Sequence, residues 1–392
     1  MQNKMPKKPV PHKPEDPDFV LINNDNALAE LTQSLQSQKC IAVDLEADSM
    51  FHYQEKACLL QITSNGLNYI VDPLCDCDVK ALAPILENDE IQKIFHGADY
   101  DVRCLFRDFG IELHNLFDTQ VAARFLGEPQ TGLAPLLESR FGVQLEKKYQ
   151  KKNWSLRPLP PEMMAYAAND TVHLLELAEI LKKELVEKDR LFWVEEECEI
   201  LTHARPMPPN DGPLFLRFRG AGKLDPRSLQ VLENILHVRD DLAKKWNRPL
   251  FKVLGNTPIL EMAQKRPLNT KGLVSLHGFS PKQAKMFGHE LIRAIKAGKS
   301  VPDEKLPSYP RKKRPPLNPK APKRAKVLKD WREKMGEELG VESSVVLTNA
   351  QIQAMASNKP RSIRELDECQ EVRQWQKKVF GQTLVELLKA VP

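Results

Sequence analysis

Nothing in this chain of 392 residues approaches the ~18 uninterrupted apolar residues that a membrane-spanning helix needs, so a helical bilayer span is excluded. The start, MQNKMPKKPVPHKPEDPDF, lacks the apolar stretch of a secretory signal. Cysteine is scarce and odd in number: seven residues at irregular spacing make no disulfide framework. Cys75 and Cys77 have no second pair and no nearby histidines at zinc spacing. The seven cysteines read as small core residues, and the expectation is a cytoplasmic protein in a reducing compartment. No GxxxxGK[ST] loop occurs and no GxGxxG follows a strand, so no nucleotide cofactor is expected. What is present is a soluble globular composition, 41% hydrophobic and 28% charged, which excludes disorder over most of the length.

The formal net charge of +5 conceals an asymmetry. Residues 1–200 hold 21 Lys and Arg against 34 Asp and Glu, a balance of −13; residues 201–392 hold 37 against 19, or +18. An acidic front half joined to a basic back half suggests a metal-dependent catalytic unit and a unit that grips a polyanion. Two differently solvated surfaces with no shared meaning is the competing reading.

Residues 1–17 are rich in Pro and Lys and read as a flexible tail. A mixed α/β pattern follows. Leu28 to Leu35 has helical spacing, and Ile41 to Glu46 is a short buried strand. Leu59 to Thr63 and Leu67 to Val71 are strands around Asn65-Gly66, a strong hairpin signal. Ile91 to Phe95 is a further strand, after which Val102, Leu105, Phe106 and Phe109 lie at helical spacing. One long helix is predicted from Pro161 to Leu185.

The stretch 205–213, RPMPPNDGP, breaks this pattern, and everything beyond it reads helical. A cut near Asn210 is therefore expected to leave a folded front half. At a constant offset of 93 residues, Arg239 matches Arg332, Val253-Leu254 matches Val346-Leu347 and Asn256 matches Asn349. Ala263, Pro267, Leu273 and Phe287-Gly288 match Ala356, Pro360, Leu366 and Phe380-Gly381 in the same register. The back half is thus two copies of one helical module. Between them Ser300 to Pro322 holds seven prolines and the run Arg311 to Arg314, a stiff basic linker.

Three acidic segments carry chemistry. In Val43-Asp44-Leu45-Glu46 the carboxylates are two apart at a strand end, so both aim at one face. In the run from Phe95 to Asp101 a strand ends, turns at Gly97 and enters a helix near Asp101. Tyr166 and Asp170 stand at i and i+4 on one helical face. Four carboxylates from three segments can converge only on something cationic. Oxygen ligands without Cys or His suit Mg²⁺ or Mn²⁺, and two such ions serve in-line displacement at phosphorus.

These segments resemble the three exonuclease motifs of the DEDD superfamily, tyrosine subclass. Leu60-Gln61-Ile62, Phe117 to Gln120 and Trp154 to Leu159 are similar to flanking signatures of the ribonuclease D family. The repeated module resembles the HRDC (helicase-and-RNase-D C-terminal) domain. The resemblance implies an α/β, ribonuclease-H-like exonuclease domain with a mixed sheet flanked by helices, over 18–200. An HRDC domain over 213–298, a linker over 299–322 and a diverged HRDC-like domain over 323–392 would follow. It implies Asp44, Glu46, Asp101 and Asp170 as ligands of two divalent ions, Mg²⁺ or Mn²⁺, and Tyr166 as the residue that positions water. Asn153, before Trp154, departs from the acid that relatives often carry there.

Further expectations attach to single residues. Gln61, His96, Arg157, Lys244 and Lys245 are candidate substrate contacts; Lys244 and Lys245, with Lys252, Lys282 and Lys285, are candidate phosphate contacts, with a solvated lysine the leading reading of each taken singly. His96 is equally a structural turn residue, and a salt bridge rivals phosphate at Arg157. Trp154 is placed in the core ahead of base stacking, and Asp118 at a helix start ahead of a metal. The leading function is a 3′→5′ exoribonuclease that trims tRNA precursors and other structured RNAs and releases nucleoside 5′-monophosphates. A DNA exonuclease and a catalytically idle binding protein are the alternatives.

Overall fold

A computed structural model of the chain describes residues 12–13, 17–208, 212–310 and 319–391. Most of the expected tail, the run Arg311 to Arg314 and the cut site Asn210 lie outside the described residues. Six strands form one mixed sheet in the order β1-β4-β3-β2-β5-β6. They are β1 (Val20–Asn24), β2 (Cys40–Ala47), β3 (Ala57–Ser64), β4 (Leu67–Asp76), β5 (Gln92–Phe95) and β6 (Leu116–Asp118). β2, β3 and β4 run antiparallel, whereas β1 joins β4, β5 joins β2 and β6 joins β5 in parallel. The β3–β4 turn is Asn65-Gly66, both at positive φ (48° and 75°), as a type I′ hairpin requires.

The predicted long helix is two: Pro161–Val172 and Leu174–Glu187, broken at His173. The break lets each segment serve a different core. Met163, Ala167 and Ala168 of the first pack with Leu59 and Ile70 of the sheet, whereas Leu174, Leu177, Leu181 and Leu185 enter the larger core with Ile41, Val43 and Phe95. Unbroken, one straight helix could not turn both apolar stripes to their cores.

The chain forms two compact units. One comprises residues up to 47, 57–206 and from 316 onward; the other comprises 48–56 and 207–315. The second helical module is therefore built into the same unit as the sheet. Trp375 stacks on Trp193 (centroids 4.5 Å apart, planes 14° apart) and meets Phe125 edge-on at 5.6 Å. Glu196 caps the start of the Gln374–Ala390 helix, accepting from the Gln374 and Trp375 amides at 2.6 and 2.7 Å. Glu197 accepts from Trp375 Nε1 and Arg373 Nε. Arg190 donates to the carbonyls of Phe125 and Leu339, both at 2.8 Å. This corrects the expectation for a cut near Asn210: it would strip the cover from Trp193 and Phe125 and leave Glu196 and Glu197 without their partners.

In the other unit, the first helical module packs with the β2–β3 loop. Tyr53 donates its hydroxyl to Asp240 (2.6 Å), and Asn247 Oδ1 accepts from the Tyr53 amide (3.2 Å). The two modules keep one another's internal contacts. Arg239 donates to Asn256 Oδ1 at 3.0 Å and Arg332 to Asn349 Oδ1 at 3.1 Å. The repeat read at an offset of 93 is thus a repeat of contacts as well as letters.

Candidate active site

β2 delivers the first two carboxylates. Val43 and Leu45 are buried in the large core, so Asp44 and Glu46 project from the opposite face by strand alternation. The next comes from the turn after β5. Gly97 sits at φ 80°, a left-handed conformation that glycine alone adopts without strain, and the chain enters the Asp99–Cys104 helix. Asp118 holds that turn: its carboxylate accepts from the amides of Gly97 (2.9 Å), Ala98 (2.8 Å) and Gln120 (2.8 Å). It is thus a helix cap and a turn clamp rather than a ligand. Asp101 follows, only 6% exposed. The Pro161–Val172 helix, with Pro161 in its first turn, supplies Tyr166 and Asp170 one turn apart.

These residues meet. Asp44, Glu46, Asp101, Tyr166 and Asp170 line one cleft of about 420 Å³, together with His96, Tyr100, Gln120 and Gln150. Burial and mutual repulsion act on every acid in it. Burial raises Asp44 to about 6, and burial followed by the charges of Asp44, Asp170 and Asp101 raises Glu46 to about 10. Asp101 and Asp170 are pushed well above the usual carboxylate range, first by burial and then by Asp44. Burial, then Asp170, Glu46 and Asp44, hold Tyr166 as a neutral phenol. The charges that most raise Glu46, Asp101 and Asp170 are those of neighbouring acids. Among the described residues no group of three or more His, Cys, Asp or Glu side chains is already drawn together closely enough to hold an ion. The acids of the donor set offer oxygen alone, which fits hard divalent cations.

Tyr166 is held by ring contacts with Tyr149 (5.6 Å) and Trp154 (6.1 Å). Trp154 is 1% exposed, which makes it a core residue and not a stacking platform. Two expected substrate contacts are corrected. Gln61 has 0% exposure and lies beneath the Pro161–Val172 helix, out of reach of any substrate. Arg157 is engaged with Asp72 through both Nε (2.6 Å) and Nη2 (2.5 Å), and with the carbonyls of Cys58, Trp154 and Leu156. That fork leaves no donor directed at a phosphate. Burial opposes ionisation of Asp72, yet the Arg157 and Leu74 hydrogen bonds outweigh it and hold the carboxyl below its usual range.

His96 lines the cleft with Nδ1 2.9 Å from Thr119 Oγ1, and burial lowers its pKa. Lys244 is paired with Asp240 at 2.7 Å in the other unit, while Lys245 lines a groove there with Val238, Leu242 and Arg293. Lys147 also lines the carboxylate cleft and Lys148 its extension past Tyr166. Sequence reasoning missed both, although four lysines within 147–152, just before Trp154, were a signal for them.

Residues 19–186 match the family model described as 3′-5′ exonuclease, and residues 228–295 and 321–388 match that of the HRDC domain. The chain is 31% identical over 309 residues to ribonuclease D of Acidiphilium cryptum, covering 78% of this chain and 77% of that protein. It is 26% identical over 372 residues to ribonuclease D of Bartonella henselae, covering 94% and 90%. The crystal structure of Escherichia coli RNase D, described as an exoribonuclease involved in structured RNA processing, shares the fold. Its TM-score is 0.71 at 24% identity, over 96% of this chain and 100% of that one.

Proposed function

The chain belongs to the ribonuclease D family and is a 3′→5′ exoribonuclease, and from that premise we propose how its residues divide the work. Asp44, Glu46, Asp101 and Asp170 hold two divalent ions, Mg²⁺ or Mn²⁺. Bound there, such ions supply charge that acidifies water and neutralises the leaving oxygen. The observation that carries this reading is the convergence of four carboxylates and Tyr166 on one cleft. The Tyr166 hydroxyl, kept neutral by its surroundings, orients the attacking water as a hydrogen-bond partner. Water attacks the last phosphodiester phosphorus, the 3′-oxygen of the penultimate nucleotide leaves, and a nucleoside 5′-monophosphate is released. His96 and Lys147 contact the terminal nucleotide from the cleft wall.

Substrates are tRNA precursors and other structured RNAs, met in a reducing cytoplasm where the seven cysteines stay as thiols. The charge balance of +18 in residues 201–392 supports RNA binding through the helical modules. The test is digestion of matched RNA and DNA oligonucleotides ending in 3′-hydroxyl or 3′-phosphate, with Mg²⁺, Mn²⁺ or EDTA. Metal-dependent release of mononucleotides from the 3′-hydroxyl RNA is expected. Equal rates on DNA would make the enzyme a general exonuclease, and no products with either metal would refute the site.

A further inference from the structure

Gln61 occupies the middle of β3 on the face that the Pro161–Val172 helix covers. Its strand neighbours on that face show the direction. Thr63 Oγ1 lies 2.7 Å from Thr171 Oγ1 of the helix, and Leu59 packs in one cluster with Ala167 and Ala168. Ile70, opposite Gln61 on β4, belongs to the same cluster. The carboxamide is therefore enclosed beneath the helix, with Ile70 opposite it on β4 and with Leu59 and Thr63 as its neighbours along β3 on that face. It is 0% exposed, and neither its nitrogen nor its oxygen has a hydrogen-bond partner among the described residues. Buried polar groups are nearly always paired, since an orphaned one costs stability without return. Leu or Met would fill this place more favourably, so fold stability alone does not account for the amide.

Its other cross-strand partner does. On β2 the residue directly opposite Gln61 is Asp44. Directly opposed side chains of an antiparallel pair share a face, with Cβ atoms about 4.5–5.5 Å apart. We propose that Gln61 is a positioning residue for Asp44: its amide N–H donates to the Asp44 carboxylate when that group takes up a divalent ion, and so keeps the carboxylate aimed into the cleft. The proposal rests on Asp44 being a metal ligand. It gives the orphaned donor its partner in the loaded state. Ligating carboxylates are commonly held in this way, and losing the outer partner typically weakens metal binding 10- to 100-fold.

The experiment uses the full chain with Gln61→Met, which keeps the volume and removes the amide, and Gln61→Leu as a second apolar variant. Urea unfolding is measured in EDTA and Mn²⁺ binding by calorimetry. Expected is a metal-free stability equal to or above wild type, with Mn²⁺ affinity weakened about tenfold or more. The KM for RNA should hold while kcat at subsaturating Mn²⁺ falls. Unchanged Mn²⁺ affinity in Q61M overturns the proposal. So does a clear loss of EDTA stability in both variants, which would make the amide a support of the fold. Asp44→Asn separates the two levels: if it also binds Mn²⁺ as wild type does, the metal reading itself fails. If Asp44→Asn weakens binding and Q61M does not, only the role of Gln61 falls.

Discussion

Trp375 offers the sharpest measure of how far the second helical module belongs to the catalytic unit. Its side chain is 1% exposed, stacked on Trp193 and flanked by Phe125 and Phe380, with its indole N–H on Glu197 at 3.1 Å. A buried tryptophan removes about 150–250 Å² from water, or roughly 4–6 kcal/mol at ~25 cal/mol per Å². Relaxation around the cavity returns part of this, so Trp375→Ala should cost about 3–5 kcal/mol. For a unit of this size that corresponds to a fall in Tm of about 10 °C. Trp375→Phe keeps much of the ring packing and loses the bond to Glu197, so it should cost about 1–2 kcal/mol. Urea unfolding followed by circular dichroism measures both, and exonuclease assays at rising temperature should show W375A losing activity first. None of these residues lines the cleft, so turnover well below the transition should match wild type. A W375A protein within about 1 kcal/mol of wild type would refute the reasoning, because the module would then rest on the sheet domain without stabilising it.

Burial raises the folded-state value of Asp44 from 3.8 to about 6, so the unfolded chain ionises first and stability falls as pH rises through that window. In EDTA near pH 7, Asp44→Asn should therefore be more stable than wild type, by at most about 3 kcal/mol and by less where solvent reaches the half-buried group. Near pH 3.5 the two should be equal; urea unfolding at both pH values checks this, and a less stable variant at pH 7 would count against it. Tyr166→Phe removes only the hydroxyl, so turnover should fall by roughly 10²–10⁴-fold with little change in the KM for RNA. An unaltered rate would reduce Tyr166 to a packing residue. Lys245→Ala and Arg293→Ala, in one groove of the first module, should each flatten the log K against log [salt] slope for a tRNA precursor by about 0.7–0.9. Unchanged slopes would show that this groove does not face RNA.

Local spacing announced most of the catalytic half. Asp44 and Glu46 two apart on a strand, and Tyr166 and Asp170 four apart on a helix, place their side chains on shared faces through backbone geometry alone. Asn65-Gly66 needed only its own preference for positive φ to turn the hairpin, and the offset of 93 exposed a repeat because equal contacts demand equal residues. What no local pattern carries is the choice of distant partners. That Arg157 spends its fork on Asp72, 85 residues away, and that Glu196 and Glu197 receive the Gln374–Ala390 helix almost 180 residues on, follows from packing around shared cores. The break at His173 is of the same kind, since apolar spacing ran on and only the two separate cores required the turn. Gln61 reads in the chain as one polar residue in an apolar strand. Its burial, its missing partners and its place opposite Asp44 exist only once three strands and a helix have closed over it, because satisfaction of a buried polar group is a property of its surroundings and not of its sequence.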